Sequence, residues 1–308
     1  MRDEFEVGGE VLIMECKQFS LQKNGFKGTF YQGSSNKDKV VIYIGGAFLN
    51  EKITNDSSEF LRNAGYSVMV VGFYLWDGLP KEMYHISVEY IENAIKWLKN
   101  SGYHRIGIMG TSTGAGYALL CASLLSDINC VIAVSPLDYV MEGVKGKLNP
   151  QNCSVYQYKG KDIPYTKFNV LHGNLCKEFV KFFKNKDYDN KHMNRYAYDM
   201  ANYTEESRIK VENMKADILM MAPRYDDSWP STEAVNRMEI ILKNCHYPYR
   251  VRKIIYENGS HALGYWKLDK RFKFLMKYMY SIERKYPLEC EKVREESTQA
   301  ILDFIREW

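Results

Sequence analysis

The chain has 308 residues, 45% of them hydrophobic and 26% charged, a balance that excludes a disordered polar chain and leaves enough apolar residues for a sizeable core. Its net charge is +4, with Lys and Arg interspersed among Asp and Glu, so no basic block points to nucleic acid as a partner. Seven cysteines without CxxC or Cys/His ligand spacing fit neither a disulfide framework nor a zinc site, and no metal or other cofactor is expected.

The opening MRDEFEVGGE lacks the basic start and apolar stretch of an export signal, and no apolar run reaches the roughly 18 residues of a membrane span. A cytoplasmic protein with reduced thiols is expected. Residues 10–33 alternate apolar and polar positions around a break at Lys23-Asn24-Gly25, as a hairpin does. The run VVIYIGG at 40–46 suits a strand buried on both faces of a parallel sheet.

A helical segment around Ser57 to Asn63, the strand YSVMVVGF, and a helix from about Met83 to Asn100 follow. Then come strand RIGIMG, helix AGYALLCASLL and strand CVIAVSP. Further on lie strand ADILMMAP, helix STEAVNRMEIILKN and strand YRVRKIIYE. Repeated β-α-β units define an α/β class with an open, mostly parallel twisted sheet and helices on both faces. The rhythm breaks over residues 141–210, rich in Tyr, Lys and Asn. A stretch that long between elements is read as a cap-like insertion within one domain spanning 1–308. From 266 onward the pattern is helical, with Ala300, Ile301, Phe304, Ile305 and Trp308 forming an apolar docking stripe.

Gly110-Thr111-Ser112-Thr113-Gly114 is a G-x-S-x-G sequence placed directly after a predicted strand and before an apolar helix, the position of a nucleophile elbow. A serine hydroxyl needs a base, and the base needs an acid to fix its tautomer. In a hydrolase of this type the acid and then the histidine follow the serine in the chain. Of six histidines, His85 and His104 precede Ser112, His172 and His192 lie in the insertion, and His246 precedes the last strand. His261 alone follows that strand, so it is the candidate base. Asp226 and Asp227 follow strand ADILMMAP; Asp227, deeper in the loop and two residues before Trp229, is the preferred acid, with Asp226 as the alternative. The oxyanion donors are expected to be the backbone N–H groups of Thr113 and Ala47, the latter in the turn Gly46-Ala47-Phe48.

With these motifs placed, the chain resembles the catalytic C-terminal domain shared by acyl-CoA thioesterases and bile acid-CoA:amino acid N-acyltransferases. The resemblance runs through Gly78-Leu79-Pro80-Lys81, Ile86-Ser87-Val88-Glu89-Tyr90, the elbow, Val134-Ser135-Pro136, Tyr158-Lys159-Gly160, Ile163-Pro164-Tyr165 and Asp226-Asp227-Ser228-Trp229-Pro230-Ser231. It implies an α/β-hydrolase fold, Asp227 as acid, and hydrolysis rather than transfer to an amino acid, because serine rather than cysteine holds the nucleophile position. Two departures stand out. Residues 1–39 are too few for the β-sandwich that precedes the catalytic domain in the family's eukaryotic members, and Thr113-Gly114-Ala115 replaces the Lys-Gly-Gly common after the serine.

The expected substrate is a small acyl thioester or ester, cleaved through an acyl-enzyme on Ser112. Tyr156, Tyr158 and Tyr165 beside Lys159, Lys161 and Lys167 are candidates to hold the acyl chain and an anionic leaving group. The alternatives are a carboxylesterase or peptidase-like hydrolase and an inactive scaffold that binds a small ligand.

Overall fold

A computed structural model describes residues 2–7, 10–35, 38–47, 49–146, 149–167, 195, 198, 201–266 and 270–308, with side chains omitted for 2–7, 10–15 and 270–272. Among the described residues a nine-stranded sheet forms the centre. Its strands in chain order are β1 (Arg2–Val7), β2 (Glu10–Phe19), β3 (Lys27–Tyr31), β4 (Lys39–Ile44), β5 (Ser67–Gly72), β7 (Arg105–Thr111), β8 (Ile128–Val134), β13 (Asp217–Pro223) and β14 (Val251–Tyr256). In space they run β1-β2-β3-β5-β4-β7-β8-β13-β14. The first three pairings are antiparallel, and every pairing from β5 to β14 is parallel.

Burial on both faces explains the composition of the central strands. All six residues of β4 and of β5 are buried, so neither shows the apolar/polar alternation of a half-exposed strand. The helices packed around the sheet include α4 (Glu89–Asn100), α5 (Thr113–Leu124), α6 (Ser231–Asn244) and α9 (Pro287–Glu307). Helix α5 packs on β7 and β8 and is buried continuously from Gly114 to Ala122. Such a helix has no polar face to give, which explains its uniformly apolar sequence.

Three expectations need amendment. The break at Lys23-Asn24-Gly25 is a helical turn, α1 (Leu21–Asn24), ended by Gly25 at φ 73°; the flanking β2 and β3 still pair antiparallel. Residues 57–63 are shared between two short helices, α2 (Glu51–Ser57) and α3 (Glu59–Asn63). The helix expected from Met83 begins only at Glu89, because Ile86–Ser87 forms a short strand, β6, pairing in parallel with Tyr156 and Gln157 of β11 (Tyr156–Tyr158). That partner lies 70 residues away, so tertiary pairing overrides the local helical spacing.

Within 141–210 the described residues form β9 (Glu142–Lys145) against β10 (Asn149–Ser154), and β11 against β12 (Lys161–Asp162). His172 and His192 lie outside the described residues. The C-terminal region is helical as expected, with α7 (Lys270–Met279) and α8 (Ser281–Lys285) leading into α9. Phe304 and Ile305 of α9 are fully buried. Among the described residues no helix is long and apolar enough to cross a membrane.

Candidate active site

Ser112 stands between β7 and α5 at φ 56°, ψ −125°, a backbone conformation that is costly for a side chain larger than glycine and persists only where the surroundings impose it. Here the imposition is visible. The Ser112 N–H donates to the Val134 carbonyl at 2.8 Å, and Ala115 N–H closes the first turn of α5 onto the Ser112 carbonyl at 2.9 Å. A Cβ on Gly114 would lie 2.2 Å from the Gly45 carbonyl oxygen, and one on Gly110 would lie 2.1 Å from that of Gly114. Helix and strand ends therefore touch through bare backbone, and only glycine fits at either place.

His261 lies in the loop after β14. Its Nε2 is 2.8 Å from Ser112 Oγ, while Nδ1 faces Asp226, 2.8 Å from Oδ2 and 2.9 Å from Oδ1. The Asp226 side chain is wholly buried. Its Oδ1 accepts the N–H groups of Ser228 at 2.8 Å and Trp229 at 3.3 Å, and its Oδ2 accepts the Ser231 hydroxyl at 2.5 Å. These three bonds fix the direction in which the carboxylate faces the imidazole.

Of the two candidate aspartates, the structure brings Asp226 and not the preferred Asp227 to His261. Asp227 points the other way, and its Oδ2 accepts the backbone N–H and hydroxyl of Ser281, at 2.7 and 2.9 Å, from the start of α8. The N–H groups of Ser228 and Trp229 hold Asp226 on the histidine side, which leaves Asp227 on the other.

The other expected residues lie close by. Thr113 is the first residue of α5, where backbone N–H groups have no intrahelical carbonyl to bond and the helix end carries positive potential. Ala47 is half-buried in the turn after β4. A Cβ on the preceding Gly46 would lie 3.2 Å from Ser112 Cβ and 3.8 Å from its Oγ, so this turn runs directly beside the hydroxyl. Phe48 is outside the described residues.

Of the tyrosines in the insertion, Tyr156 reaches the elbow, its hydroxyl donating to the Thr113 carbonyl at 3.2 Å. Burial pushes that phenol well above its ordinary range. Tyr158 instead donates to Glu92 of α4 at 2.9 Å, with the Lys159 ammonium over its ring.

Several supporting groups escaped the sequence reading. Ser135, just beyond β8 at φ 51°, is fully buried. Its hydroxyl donates to the His261 carbonyl at 2.9 Å, and its own carbonyl accepts the Trp229 indole N–H at 2.9 Å. The Trp229 ring meets the imidazole edge-on, with centroids 5.2 Å apart. Tyr280 packs 6.0 Å from the imidazole on another side, and burial, with the Asp226 charge behind it, raises its phenol pKa. Ser260 donates to Glu283 at 2.6 Å, and Glu283 is also paired with Arg294. A serine directly after a strand in Val134-Ser135-Pro136 is the one local signal in the sequence; Ser281 and Glu283 carry none.

A serine on a strained strand-to-helix turn, at the carboxyl end of a mainly parallel sheet, defines the α/β-hydrolase class, and solved structures agree on the fold. An esterase from Pyrococcus furiosus superposes with a TM-score of 0.54 at 17% identity, covering 96% of this chain and 92% of that one. A putative dienelactone hydrolase from Klebsiella pneumoniae gives 0.55 at 14% identity, covering 96% and 99%. Within that class the chain belongs to the BAAT / acyl-CoA thioester hydrolase C-terminal family, whose model matches residues 86–265.

Relatives include acyl-coenzyme A thioesterase 1 of Rattus norvegicus, 25% identical over 225 residues that make up 71% of this chain and 46% of the relative. The mitochondrial acyl-coenzyme A thioesterase 2 of the same species is 25% identical over 227 residues, 71% of this chain and 43% of the relative. The chain thus spans about half the length of these relatives.

Proposed function

We propose that the chain is a serine hydrolase that cleaves acyl thioesters, of the acyl-CoA type, through an acyl-enzyme on Ser112. The observation that carries this reading is the run Ser112 Oγ, His261 Nε2, His261 Nδ1, Asp226, with each link at 2.8 Å. Asp226 accepts the proton of His261 Nδ1, which leaves the Nε2 lone pair toward the serine hydroxyl. Ser112 Oγ attacks the thioester carbonyl carbon as its proton passes to Nε2, and the buried Asp226 carboxylate stabilises the imidazolium. The negative charge on the carbonyl oxygen is met by the Thr113 and Ala47 N–H groups at the helix end and the adjoining turn.

Collapse of the tetrahedral intermediate breaks the carbon–sulfur bond and releases the thiol, which takes the proton from Nε2. A water then gives a proton to Nε2 and attacks the Ser112 ester; collapse breaks the bond between the acyl carbon and Ser112 Oγ, returns that proton to Oγ and frees the acid. The insertion at 141–210 acts as the cap over this site, a reading supported by the Tyr156 bond to the elbow and by Tyr198 packing edge-on against Trp229.

The test is fluorophosphonate labelling combined with a substrate panel. Label should fall on Ser112 and vanish in Ser112→Ala, and free thiol should be released from acyl-CoA substrates. Undiminished labelling of Ser112→Ala refutes the nucleophile. Cleavage of p-nitrophenyl esters with no thiol released from any acyl-CoA refutes the thioesterase reading while leaving the hydrolase.

A further inference from the structure

Eleven large hydrophobic residues are exposed among the described residues, and six of them fall between Phe274 and Leu288: Phe274, Leu275, Tyr278, Met279, Tyr286 and Leu288. Phe274 and Leu288 are 75% and 76% exposed. Scattered exposed hydrophobics need no explanation, but a concentration of this kind marks an interaction surface.

Helical geometry sorts α7 into two faces. Met276 is buried, as is Tyr280 one turn on, and both pack with Ala262 and Trp266 beside the His261 loop. At 100° per residue, Phe274, Tyr278, Leu275 and Met279 fill a continuous arc on the opposite side. Lys277, exposed, borders that arc on one side, and Lys273, paired with Glu291, lies beyond it.

Charge selects the occupant. From residue 270 to 291 the sequence holds six Lys or Arg against three acids, Glu283, Glu289 and Glu291; Glu283 is buried against Arg294, and Glu291 is paired with Lys273. The surface is therefore apolar with a net positive charge, while the whole chain carries only +4. A second copy of the chain would bring like charge against like and is disfavoured. A helix with an apolar arc flanked by lysines is the form that lies in a membrane interface, its rings among the acyl chains and its ammonium groups at the phosphates.

We propose that α7 and the start of α9 dock the protein peripherally on an anionic lipid bilayer. The docking helix is the same one whose inner face packs beside His261, so docking sets the proposed hydrolase site close to the bilayer. Binding itself does not depend on the catalytic reading.

The experiment is co-sedimentation of the full chain with vesicles of phosphatidylcholine alone or with about one-third phosphatidylserine. Wild type and Ser112→Ala should both sediment with the anionic vesicles and not with the neutral ones, with binding falling as salt is raised. Lys277→Gln should weaken binding about fivefold, and Phe274→Glu with Leu288→Glu should reduce it at least tenfold with an unchanged thermal melt. Lack of binding by wild type, equal binding to neutral vesicles, or undiminished binding by the doubly substituted chain overturns the proposal. So does a stable dimer that the same double substitution dissolves while vesicle binding is absent.

Discussion

Exchanging each of the two adjacent aspartates for asparagine separates catalytic from structural roles with almost no change in volume. In Asp226→Asn the amide oxygen is drawn to the N–H groups of Ser228 and Trp229, which bond Oδ1 in the native loop. The amide NH2 then faces the Ser231 hydroxyl and His261 Nδ1, where Oδ2 stands at 2.5 and 2.8 Å. A donor opposite Nδ1 forces the proton onto Nε2, so the imidazole donates to Ser112 Oγ when it should accept. The histidine remains in place with the wrong tautomer. The expected cost is about 10⁴-fold in kcat, roughly 5 kcal/mol of barrier.

Asp227→Asn has a different consequence, because an amide oxygen still accepts from the Ser281 N–H and hydroxyl that bond Oδ2. It should cost about 1–2 kcal/mol of stability and less than about tenfold in kcat. The assay is steady-state turnover of an acyl-CoA and of a p-nitrophenyl ester, alongside thermal unfolding of each variant. Equal losses of kcat, or a larger loss for Asp227→Asn with the fold intact, refute the assignment of Asp226 as the acid.

Three other outcomes follow from the packing. Gly114→Ala should destabilise the chain by about 3 kcal/mol or more and abolish fluorophosphonate labelling, because its Cβ would sit 2.2 Å from the Gly45 carbonyl oxygen; Gly116→Ala, with nothing nearer than 3.8 Å, should be neutral or slightly stabilising, and equal effects of the two would contradict the elbow geometry. Glu283→Ala leaves the partly buried Arg294 guanidinium without this partner and releases Ser260 next to the histidine, so urea titration should show a loss of about 2–3 kcal/mol; a loss under about 1 kcal/mol would show the brace to be idle.

Burial raises the pKa values of Cys121, Cys130, Tyr43, Tyr117 and Tyr156 above their ordinary 9.0 and 10.0. Each therefore contributes stability that is complete below the unfolded value and is lost as pH rises from there toward the folded one. The loss is about 1.4 kcal/mol per pH unit for each group within that window. The urea midpoint should thus hold to about pH 9 and then fall steeply toward pH 11, and a flat profile would contradict the burial of these groups.

Which parts of this molecule the sequence discloses depends on how locally each is determined. Ser112 and His261 are legible because each occupies a short loop after its own strand, and the strands announce themselves as β-branched runs. Their succession along the chain follows from the α/β rhythm, but their spatial order, with β5 lying between β3 and β4, does not. Which of the two aspartates faces His261 is not legible to the residue. Two consecutive aspartates differ only in the direction the loop imposes, and that direction is fixed by the N–H groups of residues 228 and 229 and by Ser281, 54 residues beyond Asp227. The resemblance to the thioesterases pointed to the second aspartate, and the packing of α8 places the first against the histidine.

The misread start of α4 has the same origin. Ile86 stands at helical spacing from Tyr90, yet it pairs with Tyr156 of a distant strand. The short polar strand β10, NPQNCS, gives no alternation from which to read a partner.

The most direct test of the central claim is mass spectrometry of the chain after rapid acid quench with an acyl-CoA substrate. The account predicts an adduct with the mass of the acyl group on the peptide that contains Ser112, present in wild type and absent in Ser112→Ala. Thiol release with no adduct on Ser112 at any quench time, or an adduct that persists on another residue in Ser112→Ala, would contradict it.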